Sequence, residues 1–328
     1  MNLTSACAPG KTILFGEHAV VYGQPAIAAP VTQVQACATV EADRNAQGVF
    51  IRAADLGLSL RVGDTLEVDA QMLPLQVTVL NTLEQLGESQ ALSIRVTVSS
   101  TVPMARGLGS GAAVATAIVR ALAQHLGRQL SPAEVSDLVF RTEILHHGTP
   151  SGIDNSVIAY EQPVYFVKGR GAEVLKVGRP FWLVIGDTGV ASPTREVVGD
   201  VHRRWLNDSD GYEAMFARIG DLAAAARTSI AEGDTPAMGH LMDANQELLR
   251  QIGVSSPELE ALIGAARRAG ALGAKLCGAG RGGNMIALVR AESAEAVASA
   301  LRQAGATGVI ITEVRSPEGH ALPEKAKC

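Results

Sequence analysis

The chain has 328 residues, 47% of them hydrophobic, with a formal charge of −5 and a pI near 5.8. At roughly 150 residues per domain that length suggests two domains. The composition is that of a globular chain rather than a disordered one, and the acidic balance excludes the basic domain that marks a nucleic-acid binder.

Residues 1–10 carry no basic segment followed by an apolar stretch and a cleavage site, and no run approaches the 18 or so apolar residues of a membrane span. A cytoplasmic chain with no membrane partner is expected. The four cysteines, Cys7, Cys37, Cys277 and Cys328, are scattered singly, without a C-x-x-C pair or a disulfide framework, which fits a reducing cytosol.

Thr12 to Val40 reads as short β-branched runs broken by Gly16, Gly23, Pro25 and Pro30, and Val49 to Val68 continues in that manner, so the start is strand-rich. Pro74 to Leu86 has apolar residues at Leu75, Val79, Leu83 and Leu86, a helical spacing behind a first-turn proline. Leu92 to Val98 alternates like a strand. A glycine-rich loop, Thr101 to Gly111, then opens an alanine-rich buried helix, Ala112 to Leu126. Ser131, Pro132 and Glu134 form an N-cap, a first-turn proline and a capping-box glutamate, which predicts a helix to about His146.

The second half opens with a strand near Phe181, followed by two or three helices between Tyr212 and Arg268, the last begun by Ser256 and Pro257. Strands at Ala274–Cys277 and Met285–Val289, a helix capped by Ser293 and a strand at Val309–Val314 complete it. Without the extra helices this order is β-α-β-β-α-β, the split βαβ arrangement. The boundary between the halves is expected near residue 180.

Three glycine-bearing segments carry parts of known phosphate-binding templates. Gly10, Lys11 and Thr12 resemble the end of a Walker A loop, but the template needs glycine where Ser5 stands. Gly107 to Ala112 satisfies G-x-G-x-x-A between strand and helix, so an NAD-dependent oxidoreductase is the rival reading. That fold wants a second strand ending in an acidic residue about 20 residues on, and the capping box around Glu134 occupies that region. Gly278 to Gly283 matches too, yet a strand follows it where a helix is needed. What remains at Gly107–Gly111 is a phosphate cradle, with amides and a helix dipole facing an anion and no side chains in the way.

The run from Pro9 to Gly23, containing Gly16-Glu17-His18-Ala19-Val20-Val21-Tyr22-Gly23, resembles the first motif of the GHMP kinases, named for galactokinase, homoserine kinase, mevalonate kinase and phosphomevalonate kinase. Pro103 to Ala113 is similar to their ATP phosphate loop, and Lys275 to Gly283 to their third motif. All three stand in family order. Within the family, the first motif, Thr149 to Asn155 and Asp187 to Val190 look most like the mevalonate kinases.

The resemblance implies an α+β, two-domain GHMP kinase fold. Residues 1–180 would form an N-terminal α/β nucleotide-binding domain, and residues 181–328 a C-terminal ferredoxin-like βαββαβ domain with extra helices. It implies ATP and Mg2+ as cofactors, mevalonate as the small-molecule partner, and a homodimer among the assemblies it allows. Another GHMP kinase, such as a phosphomevalonate kinase, is the nearest alternative and would need extra basic residues.

Carried over position by position, Asp154 accepts the proton of the acceptor hydroxyl and Lys11 lies beside it, keeping it ionised and stabilising developing charge. Pro103, Arg106, Gly107, Leu108, Gly109, Ser110, Gly111 and Ala112 hold the nucleotide. Glu143, eleven residues before Asp154, and Ser110 are the expected Mg2+ ligands. Most mevalonate kinases have a second serine where this chain has Gly111, which therefore counts as backbone only. Glu17, His18 and Thr188 fall on acceptor-side positions, and Arg195 joins them because a guanidinium suits a carboxylate. Arg281 is expected either to reach phosphate or to face solvent. His146 and His147 are read as a helix-end pair rather than a metal site.

Overall fold

The structure, a computed structural model, describes residues 3–43, 47–64, 69–104, 106–147 and 150–316, with the backbone alone at residues 145–147. The reading of the His146 and His147 side chains, and Thr149 and Cys328, lie outside the described residues. Strands β1 (Thr4–Phe15) and β2 (Ala26–Ala42) form a long antiparallel pair. They are followed by β3 (Val49–Ala53), β4 (Leu58–Arg61), helix α1 (Leu73–Leu86) and β5 (Ile94–Ser100). Then come α2 (Ser110–His125), α3 (Pro132–His147), α4 (Ile153–Tyr160), β6 (Val164–Val167) and β7 (Gly171–Val174).

These strands make one seven-stranded sheet in the order β4-β3-β5-β2-β6-β7, with β1 on β2. Only the β3–β5 pairing is parallel, so the strand before the glycine loop does not sit in the parallel sheet that the dinucleotide-binding rival requires. Helix α2 packs on β1 and β2 with α1, α3 and α4 beside it. Its run of Ala112, Ala113, Ala115, Ala117, Ile118, Val119, Ala121 and Leu122 is buried, because small residues all round let the strands approach closely. The capping box forms as predicted: Glu134 N donates to Ser131 Oγ at 3.3 Å and Ser131 N donates to Glu134 Oε2 at 2.7 Å.

The second half contains β8 (Phe181–Asp187), α5 (Thr194–Asn207), α6 (Ser209–Glu232), α7 (Thr235–Ile252), α8 (Pro257–Arg268), β9 (Gly273–Cys277), β10 (Asn284–Val289), α9 (Ala294–Gln303) and β11 (Gly308–Val314). Its antiparallel sheet has the order β11-β8-β10-β9, the arrangement of a split βαβ unit. Along β8 the faces alternate: Leu183 and Ile185 join the core of the first sheet, and Val184 joins the core under α8 and α9.

Four expectations are corrected. Helix α5 begins at Thr194, well before the first helix expected from the sequence. Pro30 does not break the strand, because β2 runs through it where neither β5 nor β6 pairs that stretch. Ser293 stands at the start of α9 but makes no side-chain cap, its hydroxyl donating to Arg290 O instead. Most consequentially, Cys7 and Cys37 are joined in a disulfide, since the β1–β2 register sets them opposite each other. The cysteines therefore do not mark a reducing compartment; Cys277 is free and buried. Among the described residues no helix is long and apolar enough to cross a membrane.

Candidate active site

Strand β1 carries Lys11 into the interior, where it is 3% exposed. Its stem lies against the glycine loop: a Cβ at Gly109 would stand 2.8 Å from Lys11 Cγ, and Gly109 has a φ of +73°, so both space and backbone select glycine there. Lys11 N donates to Leu108 O at 3.0 Å, tying the loop to the strand. Asp154, expected in a loop, lies instead in the first turn of α4, behind Gly152 with its left-handed φ of +94° and no side-chain cap. A carboxylate there is favoured by the helix dipole.

Lys11 Nζ lies 2.9 Å from Asp154 Oδ1, with the lysine side chain 4% and the aspartate side chain 33% exposed. The pair is closed on the lysine side and open on the aspartate side. Burial alone would push the Lys11 ammonium down, but the charge of and hydrogen bond to Asp154, with smaller help from Cys277 and then Glu17, outweigh it and hold the group above its ordinary value.

Gly109 is the N-cap of α2 and supplies no side chain to its amides. The first-turn N–H groups of this 16-residue helix are thus available to an external anion. Pro103, Arg106 and Gly107 are partly exposed on the approach, Leu108 and Ala112 are buried beneath, and Ser110 and Gly111 open the helix. Arg106 Nη1 lies 3.4 Å from Asp187 Oδ1 at the end of β8, which bridges the two halves beside the loop.

Glu143 on α3 is 7% exposed. Burial first, and then the charge of Asp154, pushes its carboxyl up to about 7. A Cβ at Gly111 would stand 3.3 Å from Glu143 Oε1, so the residue that departs from the family pattern faces this carboxylate. Among the described residues no cluster of three metal-ligating side chains exists. Mg2+ in kinases needs only one or two carboxylates, with phosphate oxygens and water completing its shell. A buried carboxylate whose charge is disfavoured, next to the helix that opens with Ser110, fits that requirement.

The acceptor-side residues divide. Glu17 is fully buried in an ion pair with Lys275 of β9, so it does not line the open site. His18 is 6% exposed and its Nε2 donates to Ala279 O at 2.9 Å; burial drives its pKa down to about 4, leaving a neutral ring anchored to the third motif. Thr188 Oγ1 donates to Gly283 O at 2.9 Å. Arg195 is exposed in the first turn of α5, with no hydrogen bond or ion pair among the described residues. Thus the structure brings together Lys11, Asp154, Glu143 and the loop, while Glu17, His18 and Thr188 are engaged with the third motif.

Sequence reasoning missed how that motif works. Cys277 Sγ lies 3.0 Å from Thr12 Oγ1 and accepts from Ile13 N at 3.2 Å. Asn284, at the start of β10 and 2% exposed, donates from Nδ2 to Arg106 O. Arg281 neither reaches toward the loop nor faces solvent alone; it pairs with Asp200 and donates to Gly253 O. The glycines around these residues signalled a tight turn, but the neighbour that each side chain meets is more than a hundred residues away in most cases and leaves no local trace.

Family models described as "GHMP kinases N terminal domain" and "GHMP kinases C terminal" match residues 75–162 and 226–307. A mevalonate kinase of Pyrococcus furiosus is 36% identical over 335 residues, covering 98% of this chain and 99% of that protein. The crystal structure of L. major mevalonate kinase in complex with R-mevalonate superposes with a TM-score of 0.82 at 28% identity, covering 96% of this chain and 97% of that one. The Methanococcus jannaschii mevalonate kinase shares the fold, with a TM-score of 0.82 at 24% identity over 97% of this chain and 99% of that one.

Proposed function

The chain belongs to the GHMP kinase family, and from that premise we propose that it transfers the γ-phosphoryl group of ATP to the C5 hydroxyl of mevalonate, giving 5-phosphomevalonate and ADP. The observation that carries the mechanism is the 2.9 Å contact between Lys11 and Asp154, beside the open N-terminus of α2. Phosphoryl transfer needs alignment and charge stabilisation more than covalent help. Asp154, exposed on one side, takes the hydroxyl proton as the oxygen attacks. Lys11 keeps that carboxylate ionised and stabilises the negative charge that develops on the transferring group.

The amides from Gly109 to Ala112 hold the triphosphate, and Arg106, steered by Asp187, borders it. Glu143 and Ser110 would hold Mg2+, which when bound neutralises charge on the β- and γ-phosphate oxygens. Arg195, exposed and with no hydrogen bond or ion pair among the described residues, is assigned to the mevalonate carboxylate because a guanidinium suits it. The same reading divides the chain near residue 180, where β8 begins the second sheet.

The test is to incubate purified protein with ATP, Mg2+ and, separately, mevalonate, phosphomevalonate, homoserine and galactose, following ADP release. Turnover confined to mevalonate is the expected result. Preference for phosphomevalonate or another alcohol would replace the acceptor while leaving the kinase chemistry in place.

A further inference from the structure

Helix α4 has eight residues, and its first turn carries Asp154. The neighbours of that aspartate in sequence are tied to α3 by buried polar groups. Asn155 Nδ2 donates to Ser136 O at 3.1 Å and to Ser136 Oγ at 2.9 Å, which uses both hydrogens of the amide. Ser156 Oγ donates to Gly152 O at 2.7 Å, so its proton is spent, and Ser136 Oγ, 3.4 Å away, is the donor to Ser156 Oγ. The hydrogen bonds therefore run in one direction, from Asn155 through Ser136 and Ser156 to Gly152, and bonds aligned in this way strengthen one another. Asn155 is 4% exposed, and Ser136 and Ser156 are each 6% exposed.

The relay starts at the residue after Asp154 and ends at the N-cap of the same helix, while the Asp154 side chain itself departs toward Lys11 at 2.9 Å. On α3, Ser136, Phe140 and Glu143 are spaced i, i+4 and i+7 and so share one face. A Cβ at Gly152 would stand 3.5 Å from Phe140 Cε2, so that face packs against the start of α4. The face that grips α4 is thus the one that carries Glu143. Apolar side chains would join two helices without burying polar atoms, but they permit sliding, whereas a buried asparagine between helices fixes register at a cost in stability. Register matters here because a misplacement of about 1 Å at a reacting group can cost about 10²-fold in rate.

Resting on the kinase reading above, we propose that Asn155 is a positioning residue for phosphoryl transfer: its amide, bound to Ser136, locks the first turn of α4 onto α3 and so aims Asp154 at Lys11 and at the acceptor hydroxyl. It is buried and acts through Asp154 without touching either substrate. Asn155→Ala removes both amide donors and opens space beside Ser136. Asn155→Leu removes the same donors but keeps the size and suits a helix, so the two helices stay packed without a fixed register.

The experiment combines steady-state kinetics, single-turnover phosphoryl transfer by rapid quench and thermal unfolding of both variants with a crystal structure of Asn155→Leu. Rates are taken per nucleotide-binding site, so that a loss of folded protein does not count as a loss of rate. The single-turnover rate should fall at least about tenfold in both variants, with the KM values for ATP and acceptor within about threefold, because the groups that hold the ligands are not moved. In the crystal, Lys11 Nζ and Asp154 should stand farther apart than a hydrogen bond. A purely structural role for Asn155 would lower the melting temperature and leave the rate per site above a tenth of wild type, which would overturn the proposal. So would a raised KM with an intact single-turnover rate, or a Lys11–Asp154 contact unchanged in the crystal. If the alanine variant does not fold, the leucine variant carries the test alone. If the wild-type enzyme phosphorylates a different alcohol, the acceptor assignment fails, and the same rates measured on that alcohol decide the role of Asn155. If no alcohol of the panel is phosphorylated, the crystallographic contact decides whether Asn155 sets Asp154.

Discussion

Lys11 and Asp154 meet at 2.9 Å although one lies on strand β1 and the other opens a helix 143 residues later, and of the two side chains the aspartate is the one open to the site. That asymmetry separates their duties, because only the exposed carboxylate can receive a proton from a bound alcohol. Asp154→Asn preserves shape and removes the proton acceptor. It should lower kcat by about 10³-fold, within the range for losing a general base, while nucleotide affinity by calorimetry stays within about threefold. Retention of more than a tenth of wild-type turnover would remove Asp154 from the role of base.

Local sequence signals account well for several elements. The capping box at Ser131 and Glu134, the periodic run of α1 and the β-α-β-β-α-β order of the second half are each written in a few adjacent residues. What escaped is non-local or weakly marked. Helix α4 has eight residues and starts at a left-handed glycine instead of a Ser or Asp cap, so its first turn reads as a loop. The Cys7–Cys37 pairing depends on the register of two strands that later shifts at a bulge between Pro9 and Gly10. Lys275 and Glu17 are separated by 258 positions, and neither motif containing them announces that its charge is spent on the other. The glycine loop was legible as an anion cradle because its chemistry is backbone chemistry. The acceptor-side residues were less so, because motif membership does not say whether Glu17, His18 or Thr188 faces ligand or protein.

Gly111 bears directly on metal use. Its φ is not in the left-handed region, and the space where a side chain would start lies 3.3 Å from Glu143 Oε1. Gly111→Ser would therefore set a hydroxyl beside the buried carboxylate, and the Mg2+ concentration for half-maximal rate should fall about three- to tenfold. Gly111→Ala adds the same carbon without an oxygen and should give no such gain. Identical magnesium titrations for the serine and alanine variants would show that the hydroxyl takes no part.

The neutral His18 ring makes folding sensitive to acid. Its pKa is about 4 in the folded chain, driven down mainly by burial, against about 6.5 when unfolded. Between those values the unfolded chain binds a proton that the folded one refuses, so this contribution is fully present above pH 6.5 and is lost as pH falls toward 4. Between pH 7.5 and pH 5 the loss amounts to about 2 kcal/mol. His18→Asn is neutral throughout and tolerates the positive φ at this position. Urea unfolding at both pH values should show wild type losing about 2 kcal/mol more than the variant, and parallel losses would mean that His18 takes up a proton in the folded state.

Asn284 tests whether the third motif holds the phosphate loop in place. Its amide is buried and donates to the carbonyl of Arg106, immediately before Gly107, while Arg106 extends to Asp187 on the adjoining strand. Asn284→Ala leaves that carbonyl without its donor and frees the approach to the loop, at a stability cost of about 1–3 kcal/mol. Because the loop binds through backbone amides, its displacement should act on the nucleotide first. The KM for ATP should rise about tenfold, with the acceptor KM nearly unchanged. Asn284→Asp would be worse, since a carboxylate would face the carbonyl oxygen and oppose the phosphates. An alanine variant whose ATP KM matches wild type would show that Lys11 N and the packing of Gly107 fix the loop without help from β10.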